Sequence, residues 1–311
     1  VSATPRTERV RLASAGANAC TAIALSGRSR VQQALNVLFA IALLMGVLLA
    51  MTAMLSIIGW SLVEGRELLS LDLIRNYPST VNPRNAGYRP AIIGSLMVIL
   101  GVVALIVPLG TGAAIYLEEF ADKTKWWNRA IDLNIQNLAG IPSIVYGILG
   151  LAFIVRGPLS VGFVALAGSL TLALLVLPTV ILAAREALRA VPRSIREGAL
   201  ALGATPWQTV RRTVLPVSIP GILTGVILAV ARAIGEAAPL LLVGAVTFIT
   251  FDPRYTEGGY TVLPVQIYQY AGRPQADFRV LAAAGVIVML GFLLAMNSVA
   301  VWLRHHYEKK V

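Results

Sequence analysis

Residues 217–247 read VSIPGILTGVILAVARAIGEAAPLLLVGAVT, and only Arg232 and Glu236 in that run carry charge. The run exceeds the ~20 residues that an α-helix needs to cross ~30 Å of hydrocarbon. A helix is the economical way across, because it satisfies its own backbone N–H and C=O groups where water is absent. Five more apolar runs accompany it, at approximately 34–62, 91–117, 134–155, 160–184 and 280–303. The sequence therefore predicts an all-α integral membrane protein of six transmembrane helices.

Composition agrees. Of 311 residues, 57% are hydrophobic and 13% charged, with a mean hydropathy of +0.76, against roughly a quarter charged in soluble domains. The excess of 26 Lys+Arg over 15 Asp+Glu, net +11, raises nucleic acid as a partner. In a membrane chain, however, positive charge is distributed by topology, and no nucleic-acid partner is expected. The N-tail, the segments 118–130 and 185–212 and the C-tail together hold 17 Lys+Arg, and the opposite loops hold 8. That asymmetry predicts a multi-pass protein of the cell membrane with both termini cytoplasmic. Residues 1–30, rich in Ser, Ala, Thr and Arg, read as a disordered cytoplasmic tail, followed by a membrane domain over 31–311. The longer outside loops, 63–90 and 248–279, are dense in Pro, Gly, Asn and Tyr and read as ordered turns. Their tyrosines suit interfacial anchoring or the docking of a partner.

Several chemistries are excluded. The four lysines, Lys123, Lys125, Lys309 and Lys310, follow no glycine-rich phosphate loop, so ATP hydrolysis in the P-loop manner is not expected. The adjacent His305 and His306 and the single Cys20 make neither a zinc site nor a disulfide. Cys20 also lacks the preceding apolar segment of a lipoprotein signal. No nucleophile and base are nominated. Neither a metal nor another cofactor is expected, and any work against a gradient requires an external motor.

Between the fourth and fifth runs lies REALRAVPRSIREGALALGATPWQTVRRTVLP, residues 185–216. Pro192 and Ser194 mark a helix start, Ile195, Ala199 and Leu202 recur at helical spacing, and Gly203 ends the pattern. The stretch reads as an amphipathic surface helix offering Arg193, Arg196 and Glu197 to a soluble partner, or as a basic loop that serves orientation alone.

Glu197-Gly198-Ala199, then Gly203, then Leu215-Pro216 resemble the EAA-x3-G-x9-I-x-LP signature of ABC importer permeases. Gly198 and Thr213 depart from it, and Gly198 weakens the local helix by ~1 kcal/mol relative to Ala. The resemblance implies a coupling helix at about 193–207, with Arg193, Arg196, Glu197, Gly198, Ala199 and Gly203 at the contact with an ATP-binding subunit. PAIIGSL (90–96), PLGTGAAIYLEEFA (108–121), GIPSIVYGILGL (140–151), ARAIGEAAPLL (231–241) and LPVQIYQYAGRP (263–274) are similar to the PstA-type membrane subunits of high-affinity phosphate importers. The wording AIGEAAPLL favours the PstA type over its sister, the PstC type. The likeness implies the type I ABC importer (MetI-like) permease fold. It also implies a PstC-type partner permease, two PstB-type ATP-binding subunits, a PstS-type phosphate-binding protein outside, and surrounding lipid.

In a continuous helix Arg232 and Glu236, four apart, share a face with Gly225, Ala229 and Pro239. An ionised group at mid-span costs roughly 2.5–3.5 kcal/mol on insertion scales, so that face is expected to turn from lipid. Two readings stand: an ion pair that fixes packing, or a fixed cation on an anion's path. Guanidinium suits phosphate because it stays charged and offers a fork of donors. Glu236 then competes with the departing anion, keeping binding weak enough for release. The family resemblance implies that both residues serve transport. Pro239, Pro108-Leu109-Gly110 and Gly140-Ile141-Pro142-Ser143 predict breaks or kinks. Freed carbonyls with the hydroxyl of Ser143 or Tyr146 then line a cavity, or these residues only allow close packing. Charge alone does not separate phosphate from other oxyanions, so selectivity is expected mainly in the delivery protein.

Two rivals remain. A proton-coupled secondary transporter would use Glu236 as proton carrier. A scaffold would need Arg232 for assembly and not for flux.

Overall fold

The computed structural model describes residues 30–245 and 248–308. The predicted N-terminal tail lies outside the described residues except for Arg30, as do Cys20, Lys309 and Lys310.

Helix α1 spans Arg30–Gly65 and α2 spans Leu71–Arg75. Helix α3, Arg89–Ile115, runs on into a π-helical turn, Tyr116–Phe120. Helix α4 spans Trp126–Ala139, and α5, Ser143–Leu149, continues as a π-helical turn to Val155. Helix α6 spans Ala165–Arg189, α7 Arg193–Ala201 and α8 Pro206–Thr209. A π-helical turn at Val210–Val214 leads into α9, Leu215–Gly235, and α10 spans Ala238–Leu242. Helix α11 spans Leu263–Ala271 and α12 Ala276–Glu308. Among the described residues, β structure is limited to one bridge between Ala245 and Tyr260.

Contacts divide the chain into two units, through Gly59 and from Trp60 onward. In the first, the described residues are the body of α1, whose 36 residues rise about 54 Å at 1.5 Å each.

In the second unit α3, α6 and α9 pack around one core. Val98, Ile99, Val102 and Ile106 of α3 meet Leu172, Leu175, Val176 and Val180 of α6, and Ile222, Val226, Ala229 and Ala233 of α9 close the cluster. The α9 residues recur every three or four positions, which places them on one helical face. In lipid no hydrophobic force draws helices together, so dispersion between closely approaching backbones carries the packing. Gly221 shows this: a Cβ built there would lie 2.7 Å from Ala187 Cβ. A second cluster joins the segments around Tyr88, Tyr270 and Phe278. The Tyr88 hydroxyl donates to Leu281 O at 3.0 Å, and Gln266 Nε2 donates to the Tyr270 hydroxyl at 3.0 Å. Arg89 grips Asp252 through Nε at 2.9 Å and Nη2 at 2.7 Å, pinning the 248–262 loop to the start of α3.

Among the described residues, five helices are long and apolar enough to cross a membrane, and a sixth span is counted when α4 and α5 are taken as one. Two of the predicted runs need correction. The third, 134–155, is not one helix: α4 and α5 meet at a 109° bend, at the break expected for Gly140-Ile141-Pro142-Ser143. Pro142 lacks a donor and disfavours helical backbone at Ile141, while α4 carries Asn128, Arg129, Asp132, Asn134 and Gln136 and is too polar to span. The fifth, 217–247, ends at Gly235: Glu236 is extended (φ −80°, ψ 118°), and Pro239 is the second residue of the short α10. Proline there ends the helix outright instead of kinking it.

Candidate functional site

Arg232 stands in the last turn of α9, where a cation opposes the negative end of the helix dipole. Its Nε lies 3.5 Å from Glu236 Oε1, with 43% of the Arg232 side chain and 19% of the Glu236 side chain exposed. The two meet although Glu236 is no longer helical; the chain turns the carboxylate back toward the guanidinium at the helix end. Ala233 and Ile234 are buried, so the core face of α9 points one way and Arg232 the other. The guanidinium opens outward from this chain.

Tyr146 of α5 completes the neighbourhood. Its ring is buried and its hydroxyl donates to Leu138 O at 2.9 Å, a carbonyl in the last turn of α4 that also accepts from Ile141 N at 3.2 Å. It lies within electrostatic reach of Arg232. This approach depends on Gly147, where a Cβ would fall 2.7 Å from Pro239 Cα of α10. Arg232, Glu236 and Tyr146 are thus brought together. Ser143 is half-buried one turn before Tyr146, at the first position of α5.

At the opposite end of α9 from Arg232 lie α7 and α8. Gly203 has φ +84°, with its N–H bonded to Leu200 O at 2.9 Å and that of Ala204 to Ala199 O at 3.2 Å. This is a Schellman ending, and its left-handed residue is the one for which glycine has no Cβ penalty. Thr205 Oγ1 then accepts from Gln208 N at 3.3 Å while Gln208 Oε1 accepts from Thr205 N at 2.9 Å, a capping box that starts α8.

Arg193, Glu197, Gly198 and Gly203 are exposed, and Ala199 is half-buried. Arg196 turns inward. Its Nη2 donates to Glu119 Oε1 at 2.8 Å and to Leu188 O at 2.7 Å, and its Nη1 donates to Val191 O at 2.6 Å. It straps α7 to the ends of α3 and α6. The expected apolar stripe also divides: Ile195 packs on the core, whereas Leu202 is 90% exposed beside exposed Leu200 and Trp207.

Sequence reasoning missed the charge network under this handle. Glu118, on the π-helical turn after α3, approaches Lys123 Nζ at 2.9 Å and Arg189 Nη2 at 3.1 Å, and Arg185 pairs with Asp132 of α4. The available signal was Glu118-Glu119 closing one apolar run and Arg185 and Arg189, four apart, closing another.

The profile of the family described as "Binding-protein-dependent transport system inner membrane component" matches residues 106–311. The phosphate transport system permease protein PstA of Yersinia pestis is 35% identical over 245 residues, 77% of this chain and 80% of that protein. PstA of Mycobacterium leprae is 39% identical over 209 residues, 66% of each chain. The probable ABC transporter permease protein YqgH of Bacillus subtilis is 35% identical over 208 residues, 65% of this chain and 67% of that one. In fold, the chain is similar to an inward-facing MetNI methionine ABC transporter structure (TM-score 0.55, 16% identity, 70% of this chain and 93% of that one). It is also similar to a bacterial ABC transporter that imports alginate (TM-score 0.52, 16% identity, 88% and 98%).

Proposed function

Because this chain belongs to the binding-protein-dependent transport inner membrane component family, we propose that it is the permease subunit of an ATP-driven ABC importer that carries inorganic phosphate into the cytoplasm by alternating access. The observation that carries the reading is the outward-opening Arg232, held by Glu236 at 3.5 Å, in a chain whose relatives are phosphate permeases. A PstC-type sister subunit covers the Arg232 face, and the phosphate path runs between the two. Arg232 receives the anion, Glu236 competes for the guanidinium as phosphate leaves, and the hydroxyls of Ser143 and Tyr146 line the path.

The chain itself is non-catalytic. Two PstB-type subunits bind and hydrolyse ATP, and one of them seats α7 and α8 through Arg193, Glu197, Gly198, Ala199 and the exposed Leu202. Arg196, by contrast, transmits the push, since it ties α7 to α3 and α6. Both termini lie in the cytoplasm, and a PstS-type protein delivers phosphate to the opposite face.

The test is uptake by the reconstituted complex in proteoliposomes. Phosphate accumulation should require ATP, be indifferent to a proton gradient, and disappear in Arg232→Gln while the complex still co-purifies. Normal flux in that variant, or uptake driven by the proton gradient without ATP, would remove the proposal. Loss of assembly would favour a scaffolding role.

A further inference from the structure

Beside the handle lies a cavity of about 250 Å³ whose polar lining is Lys123, Asn128, Arg129, Asp132, Arg185 and Arg189. Its walls are the α3–α4 connection, α4 and the last turns of α6. Two polar atoms there are buried without partners. Arg185 is 7% exposed; Asp132 holds its Nη1, but its Nε stands 3.6 Å from Glu118 Oε2 and has no hydrogen-bond acceptor. Asn128, also buried, donates Nδ2 to Asp122 O at 2.9 Å and leaves Oδ1 without a donor. Orphaned buried groups of this kind are uncommon and each costs free energy.

The charges do not cancel. Lys123, Arg129, Arg185 and Arg189 face Glu118, Asp132 and Glu186, and exposed Arg129 belongs to none of the ion pairs of the described residues. A bound water would satisfy the orphan donor and acceptor and leave the surplus cation uncompensated. The site calls for an anion that also carries a proton: oxygens for Arg185 Nε and the Arg129 and Arg189 forks, and a hydroxyl for Asn128 Oδ1 or the Asp132 carboxylate. A phosphate group meets the first demand whether free or in a lipid headgroup. Free hydrogen phosphate meets the second, whereas a phosphodiester headgroup and sulfate, which carry no proton at neutral pH, do not.

We infer that this cavity is a second oxyanion site, selective for hydrogen phosphate, on the face of the importer proposed as cytoplasmic. The inference rests on the reading that phosphate is the cargo. Occupancy ties α4 to the end of α6, the helix that leads into α7, so imported product acts on the element that meets the ATPases.

The complete importer, purified in detergent without its binding protein, should bind radiolabelled inorganic phosphate saturably in equilibrium dialysis. Binding should survive Arg232→Gln, weaken about tenfold in Arg129→Gln with the loss of one charge-assisted contact, and persist in Arg129→Lys. Sulfate should compete at least about tenfold less well, the scale of one missing hydrogen bond to a buried acceptor. The inference is overturned by absence of saturable binding, by binding lost in Arg232→Gln and kept in Arg129→Gln, or by equal competition from sulfate. Displacement of phosphate by phosphatidylglycerol micelles but not by neutral lipid would identify a headgroup site and overturn it as well. Uptake by the same complex, reconstituted in proteoliposomes with its binding protein, separates the two proposals: normal uptake without cavity binding defeats only this one, and absent uptake defeats the import reading.

Discussion

Replacing Arg196 with alanine deletes the contacts that hold α7 against the membrane domain, and the size of the loss follows from their geometry. The guanidinium makes charge-assisted bonds to Glu119 at 2.8 and 3.2 Å and caps Leu188 O and Val191 O at 2.7 and 2.6 Å. Removing one partner of a fully buried pair costs about 3–5 kcal/mol. Here the side chains are 20% and 11% exposed, so water reaches the stranded carboxylate and carbonyls, and the expected loss falls to about 2–3 kcal/mol. At 1.4 kcal/mol per factor of ten, the amides of 193–201 should exchange with deuterium about 30- to 150-fold faster in Arg196→Ala. Arg193→Ala, on the exposed side, should change the rate by about twofold or less. Mass-spectrometric hydrogen exchange on the purified complex reads both. Acceleration of less than about threefold in Arg196→Ala would refute the claim that this residue is the strap.

Gly147→Val should force α5 from α10, because its Cβ would sit 2.7 Å from Pro239 Cα. The expected cost is about 1–3 kcal/mol, read as a lower melting temperature and reduced uptake. Glu236→Gln should leave Arg232 without its carboxylate, lowering both the half-saturating phosphate concentration and the maximal uptake rate; an unchanged rate would show that Glu236 does not aid release. The Arg89 hydrogen bond and charge hold Asp252 below the usual carboxylate range. Its contribution is therefore complete above the unfolded value of about 3.9 and is lost as pH falls through the lower folded value. Both partners are more than a third exposed, so the effect is small. Amide protection of the 248–262 loop should hold from neutral pH down to about pH 5 and fall only in stronger acid, and Asp252→Asn should remove that acid step.

The membrane class, the approximate runs and the handle were legible because they rest on local signals: uninterrupted apolar length, a proline and serine before a helix, a glycine after it. Gly203 was readable as a stop, and its positive φ is the physical reason. The break at Gly140-Ile141-Pro142-Ser143 was legible from Pro142, but its 109° size was not, because hydropathy averages over geometry and the polar face of α4 decides how far the chain turns. Pro239 was expected to bend a helix that in fact ends at Gly235, one residue before Glu236. The pairing of Arg232 with Glu236 was nevertheless anticipated, since a turn and a helical face both return residue 236 toward residue 232. The Glu118–Arg185–Arg189 and Glu119–Arg196 contacts were out of reach, because they join residues 67–77 apart and no periodicity encodes a long-range partner.

The 109° bend between α4 and α5 bears on how the chain is put into the bilayer as it is made. Ser143–Val155 rises only about 20 Å, short of the ~30 Å hydrocarbon slab, and the amphipathic α4 supplies no further apolar length. Such a segment has little drive to partition from the translocon by itself and should enter as a hairpin with α6, whose Thr171 packs on Gly150. A topology reporter fused within 156–164 would cut that hairpin and misplace its own compartment, whereas one fused after Arg189 would follow a complete pair.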